Sequence, residues 1–513
     1  MKSASTLRLR ASTVTIRFQA PGGARHRVVD PNPALIHHGV TNLNDPPSLN
    51  SFPVQPWISS LHEAHENWRR KIKSLPFIVA AVLSLVHASP ALAEADFEET
   101  TARYQTTYNW QRHPAFRSPY SGLNSLSAGK DQMFTFSLTA HWGTRLWSGG
   151  ELYFNPELAA GVPFTDSLVG LGGFTNGEIT RAAGSTPKPY RQRLFLRHTW
   201  NQGGGTVKVD ADLNQLAGTV DRDRTVLTLG NFSTLDVFDD NAYAKDPRTQ
   251  FMNWGNWTYS SWDYAADARG FGWGFALEFY RENWVYRLGR MTGPKDPNGL
   301  ALDFDLLKHY GDQFELERTH TFNEQPGALR ILAYRNRAVL ARFDDATAYL
   351  LANNPLDKQT FFRVRNGEQV KQGLGVNLEQ ALDSTIGVFF RAMRSDGKTE
   401  TYAFTEVDQS LSGGVLIKGH GWGRADDMVG LSLMTNHLSS ERRRFLEAGG
   451  ISYFIGDGQL HYKPERIFEG FYSWAVAKGF WLTGDYQRIQ NPAYNANRGP
   501  VDVFALRLHA RFQ

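Results

Sequence analysis

The chain has 513 residues, of which 21% are charged, and it contains no cysteine, which excludes a disulfide-stapled scaffold, thiolate zinc sites and cysteine nucleophiles. The mean hydropathy of −0.42 excludes a bundle of membrane helices. The net charge of +4 comes from residues 1–93, which hold 10 Lys and Arg against 4 Asp and Glu. The rest of the chain holds 45 Lys and Arg against 47 Asp and Glu, and this balance gives no electrostatic support for nucleic-acid binding by the main body.

The N-terminal region carries the features of an export signal. An apolar run over residues 75–88 is shorter than the ~20 residues of a membrane-spanning helix. It follows a basic cluster at residues 69–73 and precedes the small residues Ala91 and Ala93, which is the order of a secretory signal peptide. We expect a signal peptide over 69–93 and a mature domain over 94–513. Residues 1–68 lack periodicity, and we interpret them as a disordered extension or an over-extended gene model.

From about residue 102 onward, apolar and polar residues alternate with a period of two, which predicts β-strands with two different faces. With their flanking polar residues, most alternating segments have about 8 to 11 residues, the length of a tilted transmembrane strand. In one of them Arg191, Arg193 and Arg197 share the polar face. The clearest segments span residues 104–110, 134–142, 190–200, 271–279, 374–378, 402–404 and 504–512.

Alternation alone fits a soluble sandwich as well as a membrane barrel. The signal peptide, the strand length, the aromatic residues near segment ends and the aromatic Phe512 almost at the C-terminus favour the barrel, although Gln513 departs slightly from that habit. At about 25 residues per strand and connection, the sequence predicts an all-β, antiparallel transmembrane β-barrel of about 16 strands, with 18 as the alternative. Such a barrel is wide enough for an aqueous channel.

Four connecting segments, residues 113–131, 156–188, 231–262 and 343–367, are long enough to fold over or into the pore. The third of them holds an acidic set that could bind calcium, but salt bridges to nearby arginines are the favoured interpretation. The acidic residues are Asp236, Asp239, Asp240 and Asp246, and the arginines are Arg222, Arg224 and Arg248.

The sequence holds no recognisable catalytic constellation. The glycines of residues 170–173 are followed by Phe174 and Thr175, so the third glycine of a dinucleotide-binding loop is missing. We therefore expect neither an enzyme nor a bound cofactor or metal.

Several phrases resemble the carbohydrate-selective porins, the OprB-type family of the Gram-negative outer membrane. They lie at residues 119–126, 150–157, 170–178, 230–253 and 485–501, and together they cover the mature chain from about 104 to 512. The resemblance implies a monomeric or homotrimeric barrel that passes sugars by facilitated diffusion.

A sugar channel needs polar groups that exchange hydrogen bonds with hydroxyl groups, and aromatic faces along which a sugar ring can slide. For each candidate, a salt-bridge network that stiffens the lumen wall is the favoured alternative. A place in the aromatic girdle or in loop packing is likewise favoured over a sugar platform for most of the residues Trp254, Trp257, Tyr259 and Trp262. The pore-lining candidates are Arg191, Arg193 and Arg197 as donors, Glu278, Glu315 and Glu317 as acceptors, and Asp236, Asp239 and Arg248 in the third long loop.

The sequence thus predicts an outer-membrane porin whose partners are mono- or oligosaccharides and outer-membrane lipid. The nearest alternative is an anion-selective barrel for an acidic polysaccharide, which the arginine rows would suit. A soluble carbohydrate-binding β-protein is the alternative from another class.

Overall fold

The computed structural model describes residues 96–512 apart from 182–183 and 355–358. The extension and the signal peptide predicted within residues 1–93 lie outside the described residues and stay predictions. The strands are β1 (Thr100–His113), β2 (Asp131–Trp147), β3 (Gly150–Val162), β4 (Gly184–Asn201), β5 (Thr206–Val209), β6 (Gly218–Asp221), β7 (Arg224–Phe232), β8 (Gly272–Arg281), β9 (Trp284–Met291), β10 (Tyr310–Phe322), β11 (Gln325–Val339), β12 (Glu368–Ala381), β13 (Ile386–Ser395), β14 (Gln409–Gly419), β15 (Arg424–His437), β16 (Glu465–Ala477), β17 (Phe480–Gln490) and β18 (Val501–Phe512).

Sixteen of these strands close into one antiparallel barrel, and β5 and β6 form a separate two-stranded sheet. The barrel closes between the first and last strands, where Tyr104 pairs with Phe512 and Tyr108 with Leu508. Closure leaves no barrel strand with an unpaired edge. The prediction of about 16 antiparallel strands is confirmed.

The barrel wall exposes apolar side chains on its outer face and buries polar side chains on its inner face, the inverse of a soluble protein. On β1, Tyr104 is 46% exposed while its neighbours Arg103 and Gln105 are each 4% exposed. Apolar residues that face outward and polar residues that face inward are expected where lipid surrounds the barrel and the lumen is polar. A soluble sandwich would bury its apolar face, so the soluble alternative is wrong. No helix among the described residues is long and apolar enough to cross a membrane.

The connections differ between the two ends of the barrel. At the end where β1 begins and β18 ends, most are short, for example residues 148–149 and 282–283, and we call this the turn end. The opposite end, the loop end, carries long connections such as residues 233–271 and 438–464. Residues 202–223, which include β5 and β6, are a long connection at the turn end.

Short helices occur in the loop-end connections: α1 (Trp254–Trp257), α2 (Phe343–Asn353), α3 (Thr360–Val364) and α4 (Ser440–Glu447). Helices α2, α3 and α4 pack through three buried rings, Phe343, Phe361 and Phe445, whose centroids lie 5.2 to 5.7 Å apart. We call these three helices the helical cap.

The strand predicted around residues 402–404 is wrong, because these residues belong to the connection between β13 and β14. Phe404 has a φ of +63°, which no strand residue adopts. Its ring packs at 4.9 Å from that of Trp254 and at 4.6 Å from that of Tyr264. A two-residue alternation reflects burial on one side, and a packed loop produces the same pattern as a strand.

Candidate channel and its inserted loop

The connection between β7 and β8, residues 233–271, lies inside the barrel, and we call it the inserted loop. Its Asp239 accepts a hydrogen bond from Arg391 of β13, with 2.9 Å between Nε and Oδ1. Arg507 of β18 donates to the carbonyl oxygens of Pro247 and Gln250, at 2.9 and 2.7 Å. Since β13 and β18 lie on different sides of the wall, these contacts hold the loop across the lumen.

Local sequence and packing fix the inserted loop. Ser233 and Asp236 form a capping box at its first turn, and the Asn253 side chain caps α1. Trp254 and Trp262 are each at most 1% exposed. Trp257 and Tyr259 are 5% and 1% exposed, so all four aromatic residues singled out from the sequence pack inside the protein and present no open face for a sugar.

One edge of the inserted loop faces open space in the lumen. Asp236, Asp240 and Ala242 are exposed along this edge, and Lys245 is half-buried. Desolvation by the surrounding barrel raises the pKa of the Asp240 carboxyl. The positive charges of Lys245 and Arg330 lower it by more, so the net pKa lies below its usual range. Asp240 is therefore ionised at neutral pH.

Arg193 of β4 meets Asp236 of this edge in a bidentate pair. The Nε to Oδ2 distance is 2.7 Å and the Nη2 to Oδ1 distance is 2.6 Å. Burial raises the pKa of Asp236, but Arg193 lowers it more, so the net pKa is lowered and the pair is charged. This pair links the loop edge to the facing wall.

Arg197 lies four residues after Arg193 on β4, nearer the turn end, and has a different environment. Its guanidinium lies 5.2 Å from the ring centroid of Tyr153 and donates to the carbonyl oxygen of Asn214 at 2.9 Å. Among the described residues it has no carboxylate within ion-pair distance. Glu278 of β8, two residues from the position in register with Arg197, is half-buried. Arg197 is thus a lumenal cation with donor capacity left for a solute.

One arginine contacts all three glutamates that the sequence offered as acceptors. Arg287 of β9 contacts Glu278 at 3.0 Å, Glu315 at 2.9 Å and Glu317 at 2.8 Å. Glu315 is fully buried, whereas Glu278 keeps some exposure. Arg330 of β11 adds a second contact to Glu317 at 2.8 Å. These glutamates therefore form a network in the barrel wall, in which Glu315 is closed off while Glu278 and Glu317 keep some exposure to the lumen.

Arg248 and Asp239 also lie away from open space. Arg248 contacts Glu157 at 2.9 Å and Glu178 at 2.5 Å, and all three side chains are buried. Asp239 is fully buried beside Arg391. Both candidates anchor the inserted loop and do not line the channel.

The single row of three arginines predicted on β4 is interrupted. Asn155 of β3 pairs with Arg193 but the next residue, Pro156, pairs with Arg191, so Gln192 is an extra residue in β4. This β-bulge shifts the alternation by one position. Arg191 is exposed and stacks over Trp273 at 5.1 Å, on the apolar outward row of β8. Of these three arginines, only Arg193 and Arg197 face the lumen.

Of the three arginines expected to pair with the acidic set of the inserted loop, only Arg248 meets it. Its backbone N–H donates to Asp246 at 2.9 Å, and although burial raises the pKa of this carboxyl, the charge of Arg248 helps to lower it below its usual range. The other cationic neighbours of the set are Arg193, Arg391 and Lys245, and neither Arg222 nor Arg224 pairs with it. Arg193 and Arg391 come from strands distant in sequence and could not be chosen by closeness in sequence, whereas Lys245 belongs to the loop itself. Within the part of the chain that the structure describes, no group of three or more His, Asp or Glu residues could hold a metal ion.

Two features of the lumen were not predicted from the sequence. A cavity of about 390 Å³ opens towards the turn end between Tyr243 of the inserted loop and the wall residues Glu317, Arg330 and Glu379. At the turn end, Asn214 of the connection 202–223 lies 2.9 Å from Asn155 inside the barrel. The polar positions of the alternating strands identify the wall residues of the cavity. The local sequence of residues 202–223 carries no signal that this connection folds back towards the lumen.

The chain matches the family model described as the carbohydrate-selective porin family OprB over residues 125–512. No curated protein matches the chain. The high-pH structure of Pseudomonas putida OprB is similar at a TM-score of 0.58 and 14% identity, covering 81% of this chain and 94% of that chain. The outer membrane channel DcaP of Acinetobacter baumannii gives a TM-score of 0.44 at 8% identity, covering 80% of this chain and 97% of that chain. At 14% identity, the first likeness concerns the fold.

Proposed function

The chain belongs to the OprB family of carbohydrate-selective porins and is an outer-membrane porin for sugar diffusion; from this premise we propose that the sugars pass along the exposed edge of the inserted loop. In this family's setting the loop end faces outward and the turn end faces the periplasm, because outer-membrane barrels have long external loops and short periplasmic turns. The observation that carries the proposal is the charged pair of Arg193 and Asp236, which faces the open lumen.

The proposed path has two walls of opposite hydrogen-bonding capacity. Arg193 and Arg197 offer guanidinium donors, while Asp236, Asp240 and Glu278 offer carboxylate acceptors. A sugar hydroxyl can donate and accept at once, so it can exchange partners step by step along this path. Below, the path leads into the polar cavity of about 390 Å³ at the turn end.

The pairing of lumenal charges favours neutral sugars over the anion-selective alternative. Arg193, Arg248 and Arg287 each contact at least one carboxylate. A paired charge gives a local transverse field and little net attraction for anions. Of the three arginines that motivated the alternative, Arg191 faces outward, Arg193 is paired with Asp236, and within the described part of the chain only Arg197 remains as an unpaired lumenal cation.

Liposome swelling tests this function directly. We expect liposomes that hold the refolded residues 94–513 to swell faster in isotonic glucose than in an amino acid of similar size, because the path offers paired donors and acceptors to hydroxyls. A uronic acid should enter no faster than glucose. Swelling in the uronic acid alone would contradict the proposal and support the anion-selective alternative.

Arg191 and Arg193 lie two residues apart on β4 but on opposite faces of the barrel wall. We expect Arg193→Gln to shift the reversal potential towards cations, since Asp236 then loses its bidentate partner and leaves a negative charge beside the path. Arg191→Gln removes the same charge from the outward face and serves as the matched control. Equal shifts for both variants would show that Arg193 does not face the conducting path.

A further inference from the structure

The outer face of the barrel carries a groove on β13 to β17, close to the loop end. It measures about 500 Å³ and has apolar walls that include Phe390, Leu411, Leu433 and Phe468. Leu433 is 67% exposed. These side chains lie on the outward, lipid-facing row of their strands, so the groove opens towards the membrane.

The groove exists because a glycine interrupts the outward row. Gly413 of β14 pairs with Phe390 on one side and with Leu433 on the other. A Cβ at Gly413 would meet only the Phe389 carbonyl oxygen at 3.3 Å and the Phe390 ring at 3.8 Å, so the outward space above it is open. Two large apolar side chains therefore flank an empty floor, a shape that suits an extended hydrocarbon chain.

Two exposed arginines line the groove on its β16 and β17 side. Arg466 of β16 is exposed and pairs across the strands with Thr435 and Gln490. Arg488 of β17 pairs with Phe468 in the groove wall and is exposed as well. Arg488 also contacts Asp502 at 2.7 Å, whereas Arg466 has no carboxylate within ion-pair distance among the described residues.

Just beyond the groove, towards the loop end, the apolar outward row gives way to polar side chains. Across β13 to β15, Arg394 pairs with Gln409, and Gln409 pairs with His437, all at the loop end of their strands. Cations at this boundary meet the headgroup layer of the outer leaflet, and the apolar residues below meet its acyl chains.

We propose that the groove binds a phosphorylated lipid of the outer leaflet, with an acyl chain over Gly413 and a headgroup phosphate on Arg466 and Arg488. Guanidinium groups bind phosphate through short, charge-assisted hydrogen bonds. An acyl chain that fills the groove covers the exposed apolar surfaces of Leu433 and Phe390. A twofold-related second copy would bring the same arginines face to face, which their like charges disfavour.

Native mass spectrometry of the detergent-solubilised protein tests this site. The probe is diphosphoryl lipid A, compared with phosphatidylcholine. We expect one tightly bound lipid A, and we expect Arg466→Gln/Arg488→Gln to weaken it by about tenfold or more, since two charge-assisted bonds are lost. Gly413→Phe, which fills the floor and keeps both arginines, should weaken it as well.

Arg112→Gln is the matched control, because Arg112 is an exposed arginine at the loop end of β1, on a part of the wall without this groove. Equal weakening by Arg112→Gln, or unchanged binding in the double variant, would overturn the proposal. Weakening by the arginine variants alone, with full competition by inorganic pyrophosphate and no effect of Gly413→Phe, would also overturn it in favour of a simple phosphate site. All variants should keep heat-modifiable migration and wild-type sugar swelling, so a failure here is distinguishable from a failure of the sugar path.

Discussion

Replacement of Asp239 by alanine should free the inserted loop from the wall and enlarge the channel. Asp239 accepts from Arg391 at 2.9 Å, from Asn377 at 2.6 Å and from Thr258 at 2.9 Å. Its loss leaves the buried Arg391 without a carboxylate, a change that costs about 3–5 kcal/mol in buried pairs. The loop edge then has less to hold it across the lumen, so single-channel conductance and the rate of disaccharide swelling should both rise.

The neighbouring Asp240→Ala variant is the control for this experiment. Asp240 is exposed on the loop edge and makes no comparable anchor to the wall, so its removal should change ion selectivity and leave the size limit for sugars unchanged. Planar-bilayer recordings of both variants under one salt condition make the comparison. An Asp239→Ala channel with wild-type conductance would show that the loop is held without this anchor.

Replacement of Arg442 by leucine should open the helical cap locally. Arg442 of α4 is fully buried and pairs with Glu406 and with Asp408, the latter at 2.8 Å. Its guanidinium also lies 4.8 Å from the ring centroid of Phe343 in α2. Arg442→Leu leaves two buried carboxylates without their cation, and we expect the local free energy of opening to fall by about 3–5 kcal/mol.

Hydrogen exchange measures this opening, because amides of residues 396–408 and 440–447 should exchange much faster while the barrel strands keep their protection. Arg444→Gln is the control on the same helix. Arg444 pairs with Asp344 on the surface, where both side chains are about half exposed, and its loss should leave exchange unchanged. Faster exchange throughout the barrel would instead mean that the cap and the barrel unfold as one unit.

The sequence alone determined the barrel and its approximate size. A strand in a lipid-facing wall must alternate between membrane and lumen, so every strand records both faces in a local pattern. The segment that ends at Phe512 shows this, since it was assigned as the last strand and pairs with Tyr104 as the closing strand requires. The number of strands followed from chain length, because each strand and its connection use a similar number of residues.

The tertiary structure alone decided which charges meet and where the lumen stays open. The alternation placed Arg193 and Glu315 on the polar face, but only closure of the barrel brings Arg193 to Asp236 and Glu315 to Arg287. The bulge at Gln192, which turns Arg191 outward, depends on the register with β3 and has no local signal. The inserted loop was recognised as long, but its path depends on anchors such as Arg391, more than a hundred residues away in sequence. Local periodicity is set by the two solvents on either side of a strand, whereas ion pairing across a lumen is set by distances that exist only after the wall has closed.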